Sequence, residues 1–129
     1  MKELFQTADW KSEKHVPAIE VLEKKEEEGK TRVTVRASVG KEIKHPNTTE
    51  HHIEWIELYF LPEGEKFPYQ LGRFEFWAHG ASAQGPNTSG VYAEPVANCT
   101  FLAQKSGKIY ASSYCNIHGL WEGSEELKL

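Results

Sequence analysis

The chain has 129 residues, of which 39% are hydrophobic, 12% aromatic and 26% charged, and its formal net charge is -4 at pH 7. This composition is typical of a folded globular protein, so we expect one domain over residues 1–129 with a core that needs no disulfides. No basic stripe with interleaved aromatic residues is present, which argues against nucleic acid as a partner.

The N-terminal segment from Met1 to Thr7 contains no apolar run of the kind that a secretory signal requires. No stretch approaches the roughly 18 consecutive apolar residues of a membrane span. We therefore expect a cytoplasmic protein with no membrane partner. In that compartment, Cys99 and Cys115 are expected to be thiols or metal ligands rather than a disulfide.

Hydrophobic alternation and turn residues predict the following elements in chain order. A strand begins at Ala18, and the charged stretch from Glu23 to Gly29, which carries no apolar stripe, is interpreted as a solvated turn. The segment 32–39 alternates with its apolar residues inward, as a half-buried strand does. Further strands are predicted at 53–61, 73–78, 96–103 and 108–114. About seven short strands with no convincing helix indicate an all-β antiparallel sandwich.

The run Cys115-Asn116-Ile117-His118-Gly119 follows what we interpret as the last strand. A thiolate and an imidazole at this spacing can face one metal ion from a single loop. An isolated Cys-x-x-His is about as often a buried thiol beside a surface histidine. The position at a strand end and the presence of further candidate ligands favour a mononuclear metal site.

Candidate imidazole ligands lie upstream, at His15, at His45 and at the neighbours His51 and His52. His45 directly precedes a proline, so its backbone is biased towards a stiff, extended geometry, and His15 lies in a similar setting. His51 and His52 start a predicted strand and point to opposite faces, so at most one of them serves the same site as His45. The residues alone leave open which one. His79 has no clustered partner, and we expect a structural role for it.

Four imidazoles and one thiolate exceed the four ligands of structural zinc and the two histidines of blue copper. Five ligands suit an iron ion with a sixth position open, and a thiolate raises the electron density of such an iron. Glu13 and Lys14 immediately precede His15. They are either solvated surface charges or groups that reach the open position, where an ammonium attracts an anion.

Three segments together resemble the superoxide reductase family in its small one-iron form, neelaredoxin. The resemblance runs in consistent order from about Trp10 to Trp121 and rests on segments 13–17, 45–53 and 115–121, which read EKHVP, HPNTTEHHI and CNIHGLW. The N-terminal Cys-x-x-Cys iron domain of the two-iron relatives is absent from this sequence. Cys99 matches no motif of the family, and we expect it in the core.

The resemblance implies an immunoglobulin-like sandwich that carries one non-haem iron, cycling between Fe2+ and Fe3+. It implies four equatorial histidine ligands and an axial thiolate, namely His15, His45, His51, His118 and Cys115. It therefore selects His51 over His52. Glu13 would correspond to the carboxylate that can occupy the sixth position of ferric iron, and Lys14 to the cation that draws the substrate in.

The function that the resemblance implies is the one-electron reduction of superoxide to hydrogen peroxide, with electrons from rubredoxin and a homotetrameric assembly. Three alternatives come from other classes of protein. A cupredoxin-like electron-transfer protein would share the sandwich and contain copper. A zinc-stabilised interaction domain would be colourless and redox-silent, and an iron-storage protein or metal chaperone would exchange its metal without turnover.

Overall fold

The computed structural model describes all 129 residues and contains seven strands in two antiparallel sheets. The strands are β1 (Ala18–Glu27), β2 (Lys30–Ser38), β3 (Ile53–Pro62), β4 (Tyr69–Glu75), β5 (Val96–Ala103), β6 (Gly107–Cys115) and β7 (Gly119–Leu127). The one helical segment is a short 3₁₀ turn at Lys2–Leu4. The structure has no helix with the length and hydropathy needed to span a membrane.

The two sheets have the strand orders β1-β2-β5 and β4-β3-β6-β7, and every neighbouring pair is antiparallel. A cluster of 15 buried residues fills the space between them. Val33 and Val35 of β2 and Ile56 and Leu58 of β3 are fully buried in it, because alternate side chains of each strand point inward. Facing sheets of three and four strands form an immunoglobulin-like sandwich, and the all-β prediction is confirmed.

Three sequence-based interpretations are wrong. The strand predicted at 73–78 lies earlier in the chain, as β4 at Tyr69–Glu75. β1 continues to Glu27, and the turn is confined to Glu28 and Gly29, which have left-handed φ values of 49° and 82°. Because β1 is an edge strand, its charged side chains stay in solvent, and they do not interrupt the pairing. The last strand is β7 rather than β6. Its pattern is weak because Trp121 and Leu127 are its only buried residues.

The ends of the strands explain how distant segments meet. Ala18 pairs with Ser38, and Cys115 pairs with both Ile53 and Gly119. β1, β3 and β7 therefore begin where β2 and β6 end. The segments 13–17, 39–52 and 115–119 precede or follow these strand ends, so the fold gathers them at one end of the sandwich.

Candidate metal centre

Four imidazole rings form a closed square at this end of the sandwich. Neighbouring ring centroids are 4.9 Å apart for His15 and His45, 4.9 Å for His45 and His51, 5.0 Å for His51 and His118, and 4.7 Å for His118 and His15. Cys115 lies next to this square, with its Sγ 3.9 Å from His118 Nδ1. The ligand atoms of His15, His51, Cys115 and His118 lie within 4.8 Å of one another, a spacing that could hold one metal ion.

His45 and His51 each have one buried ring nitrogen that forms no hydrogen bond. His45 Nδ1 lies 2.7 Å from the carbonyl oxygen of Pro46, so Nδ1 carries the proton and Nε2 keeps its lone pair. Nε2 of His45 and Nε2 of His51 are buried without a hydrogen-bond partner. A buried polar atom without a partner costs about 1–3 kcal/mol and calls for an explanation. A metal ion that accepts both lone pairs provides one, so these residues fit a metal.

The outer nitrogen of His15 is already occupied. Glu13 Oε1 lies 2.7 Å from His15 Nδ1 and accepts the backbone N–H of His15 at 3.0 Å. His15 Nε2 therefore faces inward, 3.1 Å from His118 Nδ1. The inward donor atoms are thus Nε2 of three histidines, Nδ1 of His118 and Sγ of Cys115.

The structure places Glu13 behind His15 rather than among the inward atoms. Its side chain is 32% exposed, whereas that of His15 is 7% exposed. The hydrogen bond from His15 holds the pKa of Glu13 below its usual value. A carboxylate on the distal nitrogen of a metal-binding histidine fixes the ring orientation and raises its basicity.

Cys115 is the most deeply buried of the candidate ligands. It ends β6, is 0% exposed and belongs to the hydrophobic core cluster. The backbone N–H of His118 donates to its Sγ at 3.3 Å, because residues 116–118 form the tight turn of the β6–β7 hairpin. Gly119, with φ 80°, completes this turn in the left-handed region. The hairpin thus presents the sulfur and the imidazole of His118 on the same side.

Two glycines that the sequence reasoning missed allow the backbone next to the buried histidines to pack closely against neighbouring segments. A Cβ at Gly123 of β7 would lie 2.5 Å from the carbonyl oxygen of Pro17, two residues after His15. A Cβ at Gly40 would lie 2.5 Å from the backbone nitrogen of His45. A lone glycine within a strand often marks such a close backbone approach, so Gly123 carried a weak signal.

Trp121 supports two of the candidate ligands and is 8% exposed. Its ring stacks on His15 with centroids 4.9 Å apart and an interplanar angle of 15°. Its Nε1 donates to the carbonyl oxygen of His118 at 3.1 Å. The indole therefore covers one face of His15 and fixes the turn that carries His118.

The electrostatics keep the imidazoles in the form that binds metals. Burial lowers the pKa of His45 to about 4 and also lowers the pKa of His51. The neighbouring histidines and the charge of Lys14 add to both shifts. At neutral pH both rings are therefore uncharged, as coordination requires.

The other two histidines form a separate pair. The rings of His52 and His79 are stacked, with centroids 3.5 Å apart and an interplanar angle of 3°. All four ring nitrogens lie within 3.2 Å of an oxygen atom, from Thr48 and Glu54 for His52 and from Asn47 and Phe76 for His79. The structure thus brings His51 into the square and leaves His52 and His79 outside it.

Both cysteines are free. Cys99 lies on β5, where it is partly buried and packs against the hydrophobic core. Burial raises the pKa of its thiol, which favours the protonated form. Its Sγ lies 3.9 Å from the carbonyl oxygen of Leu71, so it has a packing role in the sandwich.

The fold and the site together define a class of protein, namely an immunoglobulin-like sandwich with a cluster of histidines and a cysteine at one end that could hold a metal ion. The family described as Desulfoferrodoxin matches residues 7–124, and the chain belongs to this family. The resemblance inferred from the three sequence segments is therefore confirmed.

Individual relatives match over nearly the whole chain. The superoxide reductase of Pyrococcus furiosus is 60% identical over 128 residues, which cover 99% of each protein. The neelaredoxin of Megalodesulfovibrio gigas is 54% identical over 129 residues, which cover 100% of this chain and 98% of the relative. A solved structure of the superoxide reductase (neelaredoxin) of Archaeoglobus fulgidus in the reduced form superposes with a TM-score of 0.90 at 69% identity, covering 98% and 99% of the two chains.

Proposed function

We propose that the chain is a superoxide reductase, which converts superoxide to hydrogen peroxide at a single non-haem iron and so detoxifies reactive oxygen. The observation that carries this proposal is the set of inward donor atoms, in which two buried imidazole nitrogens have no hydrogen-bond partner beside a buried thiol. The names of the relatives, which are superoxide reductases and a neelaredoxin, support the same function.

The proposed ligand set consists of four imidazoles and one thiolate, which would together hold the metal. These ligands are His15, His45, His51 and His118, with Cys115. A cupredoxin-type copper site uses two histidines, so the square of four rings favours iron over that alternative. The soft sulfur donor of Cys115 would raise the electron density of a bound iron and so favour electron transfer to the substrate.

The reaction adds one electron and two protons to superoxide and yields hydrogen peroxide. Iron bound here would supply the electron by passing from the ferrous to the ferric state. The residues of the chain do the rest. The ammonium of Lys14 attracts the superoxide anion, which matters because the net charge of the chain is -4 and repels anions overall. Solvent at the exposed side of the square, next to His118, supplies the protons.

Glu13 has two proposed roles. In the present structure its carboxylate orients His15. The family resemblance adds a second role, in which the same carboxylate occupies the sixth position of ferric iron after the product leaves. Glu13→Ala is expected to change the visible spectrum of the ferric protein while the reaction with superoxide remains fast. An unchanged spectrum would remove Glu13 from the coordination sphere.

Turnover requires an external donor that returns the iron to the ferrous state. We propose a rubredoxin as this donor, a homotetramer as the assembly and the cytoplasm as the location. The two histidines of the square that reach the surface, His51 and His118, mark the side at which a donor would approach.

The test of the function is the yield of hydrogen peroxide per superoxide consumed, measured on protein reconstituted with iron under anaerobic conditions. We expect one peroxide per superoxide and no dioxygen. A dismutase would give half as much peroxide together with dioxygen. A protein that retains only copper or zinc and does not consume superoxide would contradict the proposal.

The role of Lys14 is tested by the salt dependence of the second-order rate constant. Lys14→Ala should slow the reaction several-fold at low ionic strength and flatten its salt dependence, because the local attracting charge is lost. Lys30→Ala is the matched control, since Lys30 lies at the opposite end of β2 from the site and is exposed. Equal rate constants and salt profiles in the two variants would exclude a steering role for Lys14.

A further inference from the structure

His51 is held in a different way from the buried ligands. His15 and His45 are 6% and 5% exposed, so packing fixes them, whereas His51 is half-buried in the loop that leads into β3. The backbone N–H of His51 donates to Thr48 Oγ1 at 3.0 Å, and its carbonyl oxygen accepts from Thr48 N at 2.9 Å. These two bonds engage one end of each of the two peptide groups that flank His51. The other ends of these groups are the carbonyl oxygen of Glu50 and the N–H of His52.

Those two flanking peptide groups are both bound by one side chain, that of Asn116. Asn116 Nδ2 donates to the carbonyl oxygen of Glu50 at 2.9 Å, and Asn116 Oδ1 accepts the N–H of His52 at 2.8 Å. A third bond runs from the backbone N–H of Asn116 to the carbonyl oxygen of His52 at 3.2 Å. The orientation of the amide is unambiguous, because a carbonyl oxygen can only accept and a backbone N–H can only donate.

We propose that Asn116 is a positioning residue that sets the orientation of His51 relative to Cys115 and His118. This inference rests on the proposed metal site. The planar carboxamide spans the peptide groups before and after His51, so the φ and ψ of His51 cannot change without breaking one of its two bonds. Fixing both torsions fixes the direction of the Cα–Cβ bond and thereby the place of the imidazole.

The two side-chain bonds of Asn116, to Glu50 and to His52, form a bracket around His51. This bracket is important because of where Asn116 lies in the chain. It lies directly after Cys115 and two residues before His118, in the turn that presents both. The ligand segment 45–52 and the ligand segment 115–118 are therefore joined by a side chain that belongs to one and holds the other. A ligand atom must lie within about 0.2 Å of its proper distance for tight binding, so a loose bracket should weaken the metal site.

Asn116→Ala removes both side-chain bonds, and Asn98→Ala is the matched control. Asn98 is an exposed residue of β5 whose side chain accepts from Arg36 at 3.1 Å and makes no hydrogen bond to a candidate ligand. Co2+ serves as the probe, because its thiolate charge-transfer band reports on the sulfur and its ligand-field bands report on the geometry. Loss of a residue that orients a metal ligand typically weakens binding about 10–100-fold, and we expect an effect of this size with altered ligand-field bands for Asn116→Ala. Asn98→Ala should match the wild type.

A second variant tests whether the effect is specific to the two bonds of Asn116 or follows from the loss of any contact that anchors this loop. Asn87 bonds Thr49 and Glu50 of the same loop but contacts neither peptide group that flanks His51. Asn87→Gly removes the side-chain hydrogen bonds of Asn87, and glycine readily adopts the left-handed φ of 55° at that position. We expect it to change the ligand-field bands of Co2+ less than Asn116→Ala does. Equal spectral changes in the two variants would overturn the specific role of Asn116.

Asn116→Asp can be measured in place of Asn116→Ala if the alanine variant does not fold. It keeps the acceptor for His52 N–H and places a second oxygen against the carbonyl of Glu50, so it should also weaken Co2+ binding at preserved size. If whichever of these variants folds has wild-type affinity and spectra, the positioning role of Asn116 would be overturned while the proposed metal site would stand. A wild-type protein that gives no thiolate band with Co2+ would overturn the proposed metal site and the bracket with it.

Discussion

The six histidines of this chain form two groups, and the most buried members of the two groups are alike in exposure but differ in hydrogen bonding. In the square, Nε2 of His45 and Nε2 of His51 are buried and have no partner. In the stacked pair, every ring nitrogen of His52 and His79 has an oxygen partner. His45 is 5% exposed and His79 is 8% exposed, so burial does not separate the two groups.

The difference shows what a metal site requires of the surrounding fold. A buried histidine that donates its N–H to an oxygen atom of the protein stabilises the folded state by itself, whereas a buried nitrogen with no partner carries a cost that a ligand must offset. The folded protein tolerates the cost of these two unpartnered nitrogens because the rest of the sandwich holds the rings of the square in place. The same residue type therefore serves binding at one position and stability at the other.

The largest effect is expected from His45→Gln. Structural metal sites with four ligands have apparent binding free energies of about 10–16 kcal/mol, so one ligand corresponds to about 3 kcal/mol, or roughly 100-fold in affinity. The affinity for Fe2+, measured by competition with a chelator, should fall by this factor. The free energy of unfolding of the metal-free protein should fall by only about 1 kcal/mol, because the substitution removes the hydrogen bond from Nδ1 to Pro46 while Nε2 had no partner. Unchanged iron affinity would show that the square is not the binding site.

His79→Ala should give the opposite result. It removes the single N–H that neutral His79 donates to Asn47 Oδ1 or to the carbonyl oxygen of Phe76, and it removes the ring stacked on His52. The metal-free protein should lose about 2–3 kcal/mol of unfolding free energy in denaturant titration. Iron affinity should fall less than for His45→Gln. A variant that lost iron but kept its stability would remove the distinction between the two groups.

The smallest expected effect is on the pH dependence of stability. Burial lowers the pKa of His79, although the hydrogen bond to Phe76 and the charge of Glu54 raise it and a charge on His52 lowers it. The unfolded chain titrates near 6.5 and binds more protons than the folded one in the window just below that value. The stability of the metal-free protein should therefore fall as the pH drops from about 6.5 towards the lower folded pKa. His79→Ala should reduce this slope, and an equal slope in both proteins would contradict the assignment.

Much of the fold could be predicted from alternation alone. The segment 96–103 coincides with β5, and the buried valines of β2 lie on the predicted face. β7 was missed because a strand with two buried residues has no clear alternation, and its partner β6 is what makes it a strand. Such pairing depends on distant residues, so local pattern could not reveal it.

The candidate site was predictable in composition but not in its supporting contacts. Spacing pointed to Cys115 and His118, while the choice between His51 and His52 came from the family resemblance. The structure places Glu13 on the outer nitrogen of His15, and that contact has no signal in the sequence. The close approaches at Gly40 and Gly123 and the bonds of Asn116 depend on three-dimensional neighbours in the same way.

The most direct test of the account is X-ray absorption at the iron edge of protein reconstituted with one equivalent of Fe2+. Iron bound by the square and by Cys115 would show imidazole scattering with a single sulfur neighbour, and Cys115→Ser would abolish the sulfur shell. A wild-type spectrum without sulfur, or one that the Cys115→Ser substitution leaves unchanged, would contradict the proposed centre.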